Sequence, residues 1–115
     1  MSDSASGDLP AALELIGATL EMLRDTDEAG FLKFWRTRVV SYRGVADEML
    51  ACLALVLAAP PADLREQLYA RVGFVLNHVE PTRITPYSND DVIVWLRALD
   101  EKLRAIYDEV VRSEQ

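Results

Sequence analysis

The side chains best suited to catalysis in this sequence are its one histidine, His78, and its one cysteine, Cys52. Thr82, Thr85 and Glu80 follow His78 closely, so a histidine acting as a general base would have hydroxyl and carboxyl groups nearby. His78 also falls in the last turn of a predicted helix, where a cation is favoured and a carbonyl can accept its proton. Cys52 lies in the longest apolar run, where a thiol serves as a small hydrophobic side chain. We interpret both residues as structural and predict that the protein is not an enzyme.

The acidic residues are numerous, but their spacing does not predict a metal site. The chain contains no Glu-x-x-His pattern, no spaced cysteine or histidine pairs and no glycine-rich phosphate-binding motif. Adjacent acids such as Asp47 and Glu48 point in different directions on a helix. Glu14 and Glu21, seven residues apart, share a helix face that we interpret as solvated. We therefore expect no metal and no cofactor.

Charge is distributed unevenly along a chain whose net charge is −7. The first thirty residues contain seven acids and one base, whereas the next thirteen contain four bases and no acid. These two segments can neutralise each other within the fold. Alternatively, Arg36, Arg43 and a partly exposed ring of Phe34 or Tyr42 form an anchor for a partner, because arginine and aromatic residues dominate interface energetics.

Helical periodicity positions these residues, beginning with a first helix from about residue 8 to residue 25. Its apolar face is formed by Leu13, Ile16, Leu20 and Leu23, at steps of three and four, and Asp8 offers an N-cap. Apart from Asp3, the acidic residues of the first segment therefore cap this helix, belong to it or directly follow it.

A second helix is predicted from near Glu28, and its apolar spacing continues as far as Ala58. Since an unbroken helix of this length would exceed its partners, we expect a kink or break at Arg43 or Gly44. Glycine in a helix interior costs roughly 1 kcal/mol relative to alanine. Two prolines, at 60 and 61, end the segment.

The remainder of the chain predicts two more helices. Helix three runs from Pro61 to about Val79, and helix four begins after Ser88, which with Asp91 resembles a capping box. Charged residues on the outer face of helix four predict ion pairs at four-residue spacing: Arg97 with Glu101, Asp100 with Arg104, and Arg104 with Asp108. The apolar face of helix four comprises Val92, Trp95, Leu96, Leu99, Leu103, Ile106 and Val110.

These elements predict an all-α fold, a helical bundle of four main helices, or of five if helix two breaks at Gly44. No alternating run of β-branched residues favours a sheet. Residues 1–7 are polar and small and are expected to form a disordered lead-in. Residues 8–115 are the size of a single helical-bundle domain.

The acidic composition excludes several classes of partner. A net charge of −7 repels phosphate backbones and anionic lipids, so we expect neither direct nucleic-acid binding nor membrane binding. The longest apolar run, residues 49–59, is too short to span a bilayer. The first residues lack the basic and apolar regions of a signal peptide, which predicts a cytoplasmic protein.

The remaining class is a small acidic interaction protein that binds a basic protein partner and inhibits or chaperones it. An immunity protein, an antitoxin or a phage-encoded inhibitor fits this description, because negative charge steers association with a basic surface. Self-association into a homodimer is compatible with it. The residues predicted to contact the partner are Glu14, Glu21, Asp25, Asp27, Glu28, Phe34, Arg36, Arg43, Arg83 and Tyr87.

An alternative function is a helical bundle that binds a small anion. In this hypothesis the arginine and aromatic residues of helix two, together with His78, line the anion pocket. A metabolite that raises the melting temperature would favour this alternative, since ligand binding stabilises the folded state.

Overall fold

The computed structural model describes residues 9–24, 26–72 and 88–115, and the regular elements in those ranges are all helical. The structure confirms the predicted all-α fold and favours the five-helix form of the bundle. The predicted lead-in, residues 1–7, lies outside the described ranges. The elements are α1 (Leu9–Leu20), a 3-10 helix (Glu21–Arg24), α2 (Glu28–Ser41), α3 (Arg43–Ala58), α4 (Leu64–Val72) and α5 (Asn89–Ser113).

The first predicted helix is divided between α1 and the 3-10 helix that follows it. All four residues of its predicted apolar face, Leu13, Ile16, Leu20 and Leu23, are buried. The apolar period therefore identified the buried side even though the hydrogen-bonding pattern changes after Leu20. Such tightening into a 3-10 turn is common where an α-helix ends.

The second predicted helix is broken at Tyr42, which joins α2 to α3. Tyr42 has the non-helical angles φ −137° and ψ 55°, and its N–H still donates to the carbonyl of Arg38. The Nε of Arg43 donates to the carbonyl of Val39 at 2.7 Å, which satisfies an end of α2. The predicted break is thus present, but it precedes Gly44, which lies in the first turn of α3.

The third predicted helix begins later than expected, since α4 starts at Leu64 and a turn occupies the residues after Pro61. The N–H of Leu64 donates to the carbonyl of Pro61 at 3.2 Å within this turn. Leu64 and Leu68 of the predicted apolar face are buried. The predicted continuation to Val79 falls outside the described residues.

The last helix, α5, begins as predicted. The hydroxyl of Ser88 accepts from the N–H of Asp91 at 3.1 Å, and the carboxylate of Asp91 accepts from the N–H of Ser88 at 3.0 Å. This reciprocal capping box fixes the start of the longest described helix. Asn89 connects α5 to α4, since its side-chain oxygen accepts from the N–H of Arg65 at 2.9 Å.

One apolar core joins all five helices, and α1 and α5 pack against different sets of helices around it. Helix α1 packs on α3 and α4, whereas α5 packs on α2, α3 and α4. Trp35 is fully buried, and its indole N–H donates to the carbonyl of Leu103 at 2.9 Å. The largest buried side chains are Trp35, Phe31, Ile16, Leu20, Leu23, Met49, Leu53, Leu64, Leu68, Leu96 and Leu103.

Candidate functional site

Helices α3 and α5 run antiparallel and are joined by two arginines of α5. Arg97 donates to the carbonyl of Leu57 at 3.1 Å, and Arg104 donates to the carbonyl of Leu50 at 2.9 Å. The two arginines are seven residues apart in α5, and the two carbonyls that accept from them are seven residues apart in α3 in the reverse order. These bonds hold the helices side by side and define the edges of an open channel between them.

We call this channel the α3–α5 groove, and its volume is about 400 Å³. Its base is apolar: Leu50 is buried beneath Ala51 and Ala54, whose small side chains are exposed. Because alanine side chains project little, the surface of α3 is low along this line. The groove is lined by Asp47, Leu50, Ala51, Ala54, Arg104, Tyr107 and Asp108.

The charge of the groove is negative. The cation of Arg104 is paired with Asp100, whose two carboxylate oxygens lie 3.0 and 3.1 Å from its Nε. Asp108 has no hydrogen bond or ion pair within the part of the chain that the structure describes. Glu101 is likewise exposed and unpaired there, and it lies seven residues before Asp108 on the same side of α5.

At one end of the groove, the hydroxyl of Tyr107 donates to the carboxylate of Asp47. This hydrogen bond, together with partial burial, raises the pKa of Tyr107 above its ordinary value. The guanidinium of Arg43 lies 5.6 Å from the ring centre of Tyr107 and 2.5 Å from the carboxylate of Glu114. The hydrogen bond to Glu114 raises the pKa of Arg43. At this end of the groove, Asp47 and Arg43 of α3 are therefore linked by direct contacts to Tyr107 of α5 and to Glu114, which follows α5.

Several of the predicted partner-binding residues form ion pairs between helices instead of standing free. Glu28 accepts from Lys102 at 2.7 Å, and Arg36 pairs with Glu109. Because both positions rise together along the two helices, these contacts show that α2 runs parallel to α5, and Arg43 at the start of α3 pairs with Glu114 beyond them. Two of the four bases of the basic segment, Arg36 and Arg43, thus pair with residues at the far end of α5, whereas the sequence had suggested neutralisation by the first helix.

Glu14 and Glu21 lie on a second groove, between α1 and α4, with a volume of about 320 Å³. Glu14 is 2.6 Å from the Nε of Arg71, which also lines this groove. The Cβ of Arg71 packs close to Gly17, where a methyl group would approach it to 3.0 Å.

Each of the two grooves contains two carboxylates, which disfavours the binding of a small anion.

Two further predicted residues have identifiable local roles. The carboxylate of Asp27 is the N-cap of α2 and accepts from the N–H of Gly30 at 2.8 Å. The ring of Phe34 is only partly exposed, and the guanidinium of Arg38 lies 4.7 Å above its centre. Of the two rings considered as an anchor, Tyr42 is the accessible one, with 63 % of its surface exposed.

The remaining predicted positions lie outside the described residues: Asp25, His78, Arg83, Tyr87 and the loop 80–87. Cys52 is described and is partly buried, packed against the core.

The residues of the α3–α5 groove were not among the predicted site residues. Asp47, Ala51, Ala54 and Ala58 recur at steps of four, three and four, and all four are exposed. The signal that could have identified this stripe is the face of α3 opposite to its buried residues. Small exposed residues carry no hydrophobic signal, so the pattern becomes meaningful only once α5 is known to lie beside it.

No protein-family model, curated protein or solved structure matches the chain. Within the described ranges, no group of three or more histidine, cysteine or acidic side chains is placed to hold a metal ion. None of the described helices combines the length and the apolar composition that a bilayer-spanning segment requires.

Proposed function

We propose that the protein binds a basic protein partner through its acidic surface and restrains or chaperones that partner. Inhibitors, immunity proteins and antitoxins are the classes of protein that work in this way. A cytoplasmic location, which the sequence suggested, is part of this proposal. The protein acts by binding alone, without a catalytic group.

The proposal rests on the charged side chains that the fold leaves without an ion-pair partner. Six arginine and lysine side chains of the described residues are engaged in ion pairs, among them Arg36, Arg43 and Lys102. In the same ranges, the exposed carboxylates of Glu101 and Asp108 have no partner. Each ion pair removes one base and one acid, so the excess of acids over bases in α5, six against four, remains as a surplus of negative charge on its surface.

This surplus has a physical consequence for association. Carboxylates that are exposed and unpaired attract a positively charged surface over about 10 Å at 0.1 M salt. They raise the rate of encounter and select against acidic partners, while contributing less to the lifetime of the complex. The expected partner is therefore a basic protein whose binding weakens as salt is added.

The test is an affinity purification of the tagged protein from its own host, washed at low and at high salt, with bound proteins identified by mass spectrometry. We expect one near-stoichiometric basic protein that is lost in the high-salt wash. With the purified pair, calorimetry is expected to show an affinity at least tenfold weaker at 0.5 M than at 0.05 M salt.

Binding that does not change with salt would contradict the proposal, as would the recovery of no specific protein. Light scattering on the purified protein would show whether it acts as a monomer or as the homodimer that the sequence also allowed.

A further inference from the structure

The α3–α5 groove has dimensions that fit another helix. The part of α3 that lines it runs from Asp47 to Ala54, which at 1.5 Å per residue is roughly 10 Å, or two helical turns. Helices pack with their axes about 8–10 Å apart, and the shorter distances require small side chains at the contact. Ala51 and Ala54 provide those small side chains directly above the buried Leu50.

A helix is favoured over an extended segment by hydrogen bonding. An extended chain on this surface would need partners for its own N–H and C=O groups, and it normally finds them at the edge of a sheet. The described residues contain no strand. Arg97 and Arg104 already bond the carbonyls of Leu57 and Leu50 beside the groove. A helix brings its own backbone hydrogen bonds and can lie on such a surface at no cost in unsatisfied groups.

The charges around the groove specify the flanks of that helix. Asp47 and Asp108 stand on opposite walls, and Glu101, outside the lining, precedes Asp108 by two turns on the same side of α5. The arginine between them, Arg104, is paired with Asp100 and does not offset these acids. A bound helix would therefore carry lysine or arginine on both sides of a narrow apolar face.

We propose that the α3–α5 groove binds a basic amphipathic helix of the partner protein. About two turns of that helix would place small apolar residues over Ala51 and Ala54 and cationic residues beside Asp47 and Asp108. This inference rests on the proposed function and adds to it the site of binding and the form of the partner segment.

A synthetic peptide tests the form of the ligand. The probe is a fluorescein-labelled peptide of about 18 residues, with alanine and leucine on one helical face and lysine on the other, long enough to be partly helical in water. The control peptide has the same composition in a scrambled order, which removes the apolar face. We expect fluorescence anisotropy to show binding of the first peptide and at least tenfold weaker binding of the second.

Paired variants of the full chain test the site. Ala54→Tyr fills the groove and is expected to weaken peptide binding at least tenfold. Ala11→Tyr makes the same change at an exposed alanine of α1 and is expected to have no effect. Circular dichroism melting of both variants shows whether each remains folded.

Charge is tested by two double variants with the same net charge. Glu101→Lys with Asp108→Lys reverses one acid that lines the groove and the acid seven residues before it on the same side of α5, whereas Glu48→Lys with Asp90→Lys reverses two exposed acids that do not line it. The first double variant is expected to weaken peptide binding at least tenfold and the second less than threefold. Equal losses in both would overturn the assignment to the groove.

The outcomes separate this inference from the proposed function. A basic partner that is captured in a salt-dependent way, yet is indifferent to Ala54→Tyr, would overturn the groove and leave the proposed function standing. Equal binding of the amphipathic and scrambled peptides, or binding of neither, would overturn the proposal that the ligand is an amphipathic helix. Failure to capture a salt-sensitive basic partner would overturn the proposed function itself.

Discussion

Two arginines of α5, Arg97 and Arg104, bind main-chain carbonyls of α3. The sequence predicted ion pairs of Arg97 with Glu101 and of Arg104 with both Asp100 and Asp108. The structure confirms only the pair with Asp100. The rule of four-residue spacing considers one helix alone. It could not include the carbonyls of α3 that both arginines reach.

Tyr107 gives a prediction about pH. Its hydrogen bond to the Asp47 carboxylate stabilises the neutral phenol, so the pKa of Tyr107 in the folded protein lies above the ordinary value of about 10. Because the folded pKa is the raised one, this contribution to stability is complete below about pH 10 and is lost as pH rises through the folded pKa. We expect the tyrosinate absorbance of Tyr107 to appear above the usual pH range.

The measurement is an ultraviolet absorbance titration of the wild type minus that of Tyr107→Phe, which isolates one tyrosine. Asp47→Asn is the matched variant, since it removes the charge but keeps a side chain of the same shape. In that variant the pKa of Tyr107 is expected to fall toward its ordinary value. An identical titration of Tyr107 with and without the Asp47 charge would disprove the role given to this pair.

At the level of the helices, the junction between α2 and α3 shows what a glycine does and does not indicate. The sequence placed the break at Arg43 or Gly44, and the non-helical residue is Tyr42, directly before them, with φ −137°. A methyl group on Gly44 would meet nothing within 4 Å, and its backbone is not in the left-handed region. The junction also exposes Val40 and Tyr42, by 57 % and 63 %. Gly44 is therefore not needed for the shape of the junction.

Gly44→Ala is accordingly expected to stabilise the protein by about 0.5–1 kcal/mol, because alanine loses less backbone entropy than glycine when it becomes helical. Gly17→Ala is the contrasting variant, since its new methyl group would lie 3.0 Å from the Cβ of Arg71. We expect that variant to be no more stable than the wild type. Urea unfolding of the two variants measures both effects, and a lower unfolding free energy for Gly44→Ala would contradict this account.

The helices themselves were largely predictable from the sequence, and the groove was not. Apolar spacing identified the buried faces of α1 and α5, and a cap of two residues, Ser88 and Asp91, fixed the start of α5. These features depend on residues close in sequence. The groove depends on α5 lying beside the alanine stripe of α3, which places Tyr107 next to Asp47, 60 positions away in the chain. No local pattern contains that information.

For the molecule as a whole, the charge sums along the sequence were correct but their pairing was not foreseeable. Two of the four bases of the basic segment pair with acids at the end of α5, Arg36 with Glu109 and Arg43 with Glu114. Exposed pairs of this kind contribute about 0–1 kcal/mol each. Their larger effect is to determine where the unpaired carboxylates remain, and hence which side of the molecule a basic partner would approach.

The hydrogen bond from Trp35 to Leu103 joins residues 68 positions apart. Closing a loop of that length costs about 4 kcal/mol in the part that depends on loop length, before the contact contributes any stability. Helices α2 and α3 are neighbours in sequence and can meet early, but the indole of Trp35 reaches its final surroundings only when α5 arrives. Contacts that are distant in sequence slow folding in this way.

The order of folding is therefore expected to be controlled by the helix that lies farthest along the chain. Ala98→Gly weakens α5 at an exposed position and should slow the refolding step in which Trp35 gains its native fluorescence, as followed by stopped flow in a Trp95→Phe background. Ala11→Gly weakens α1 to the same degree and should chiefly accelerate unfolding. Equal slowing by both would mean that α1 joins the folding nucleus too. If only the α5 variant refolds slowly, then until α5 docks the chain passes through a state in which the side of α2 that carries Trp35 is still open to water.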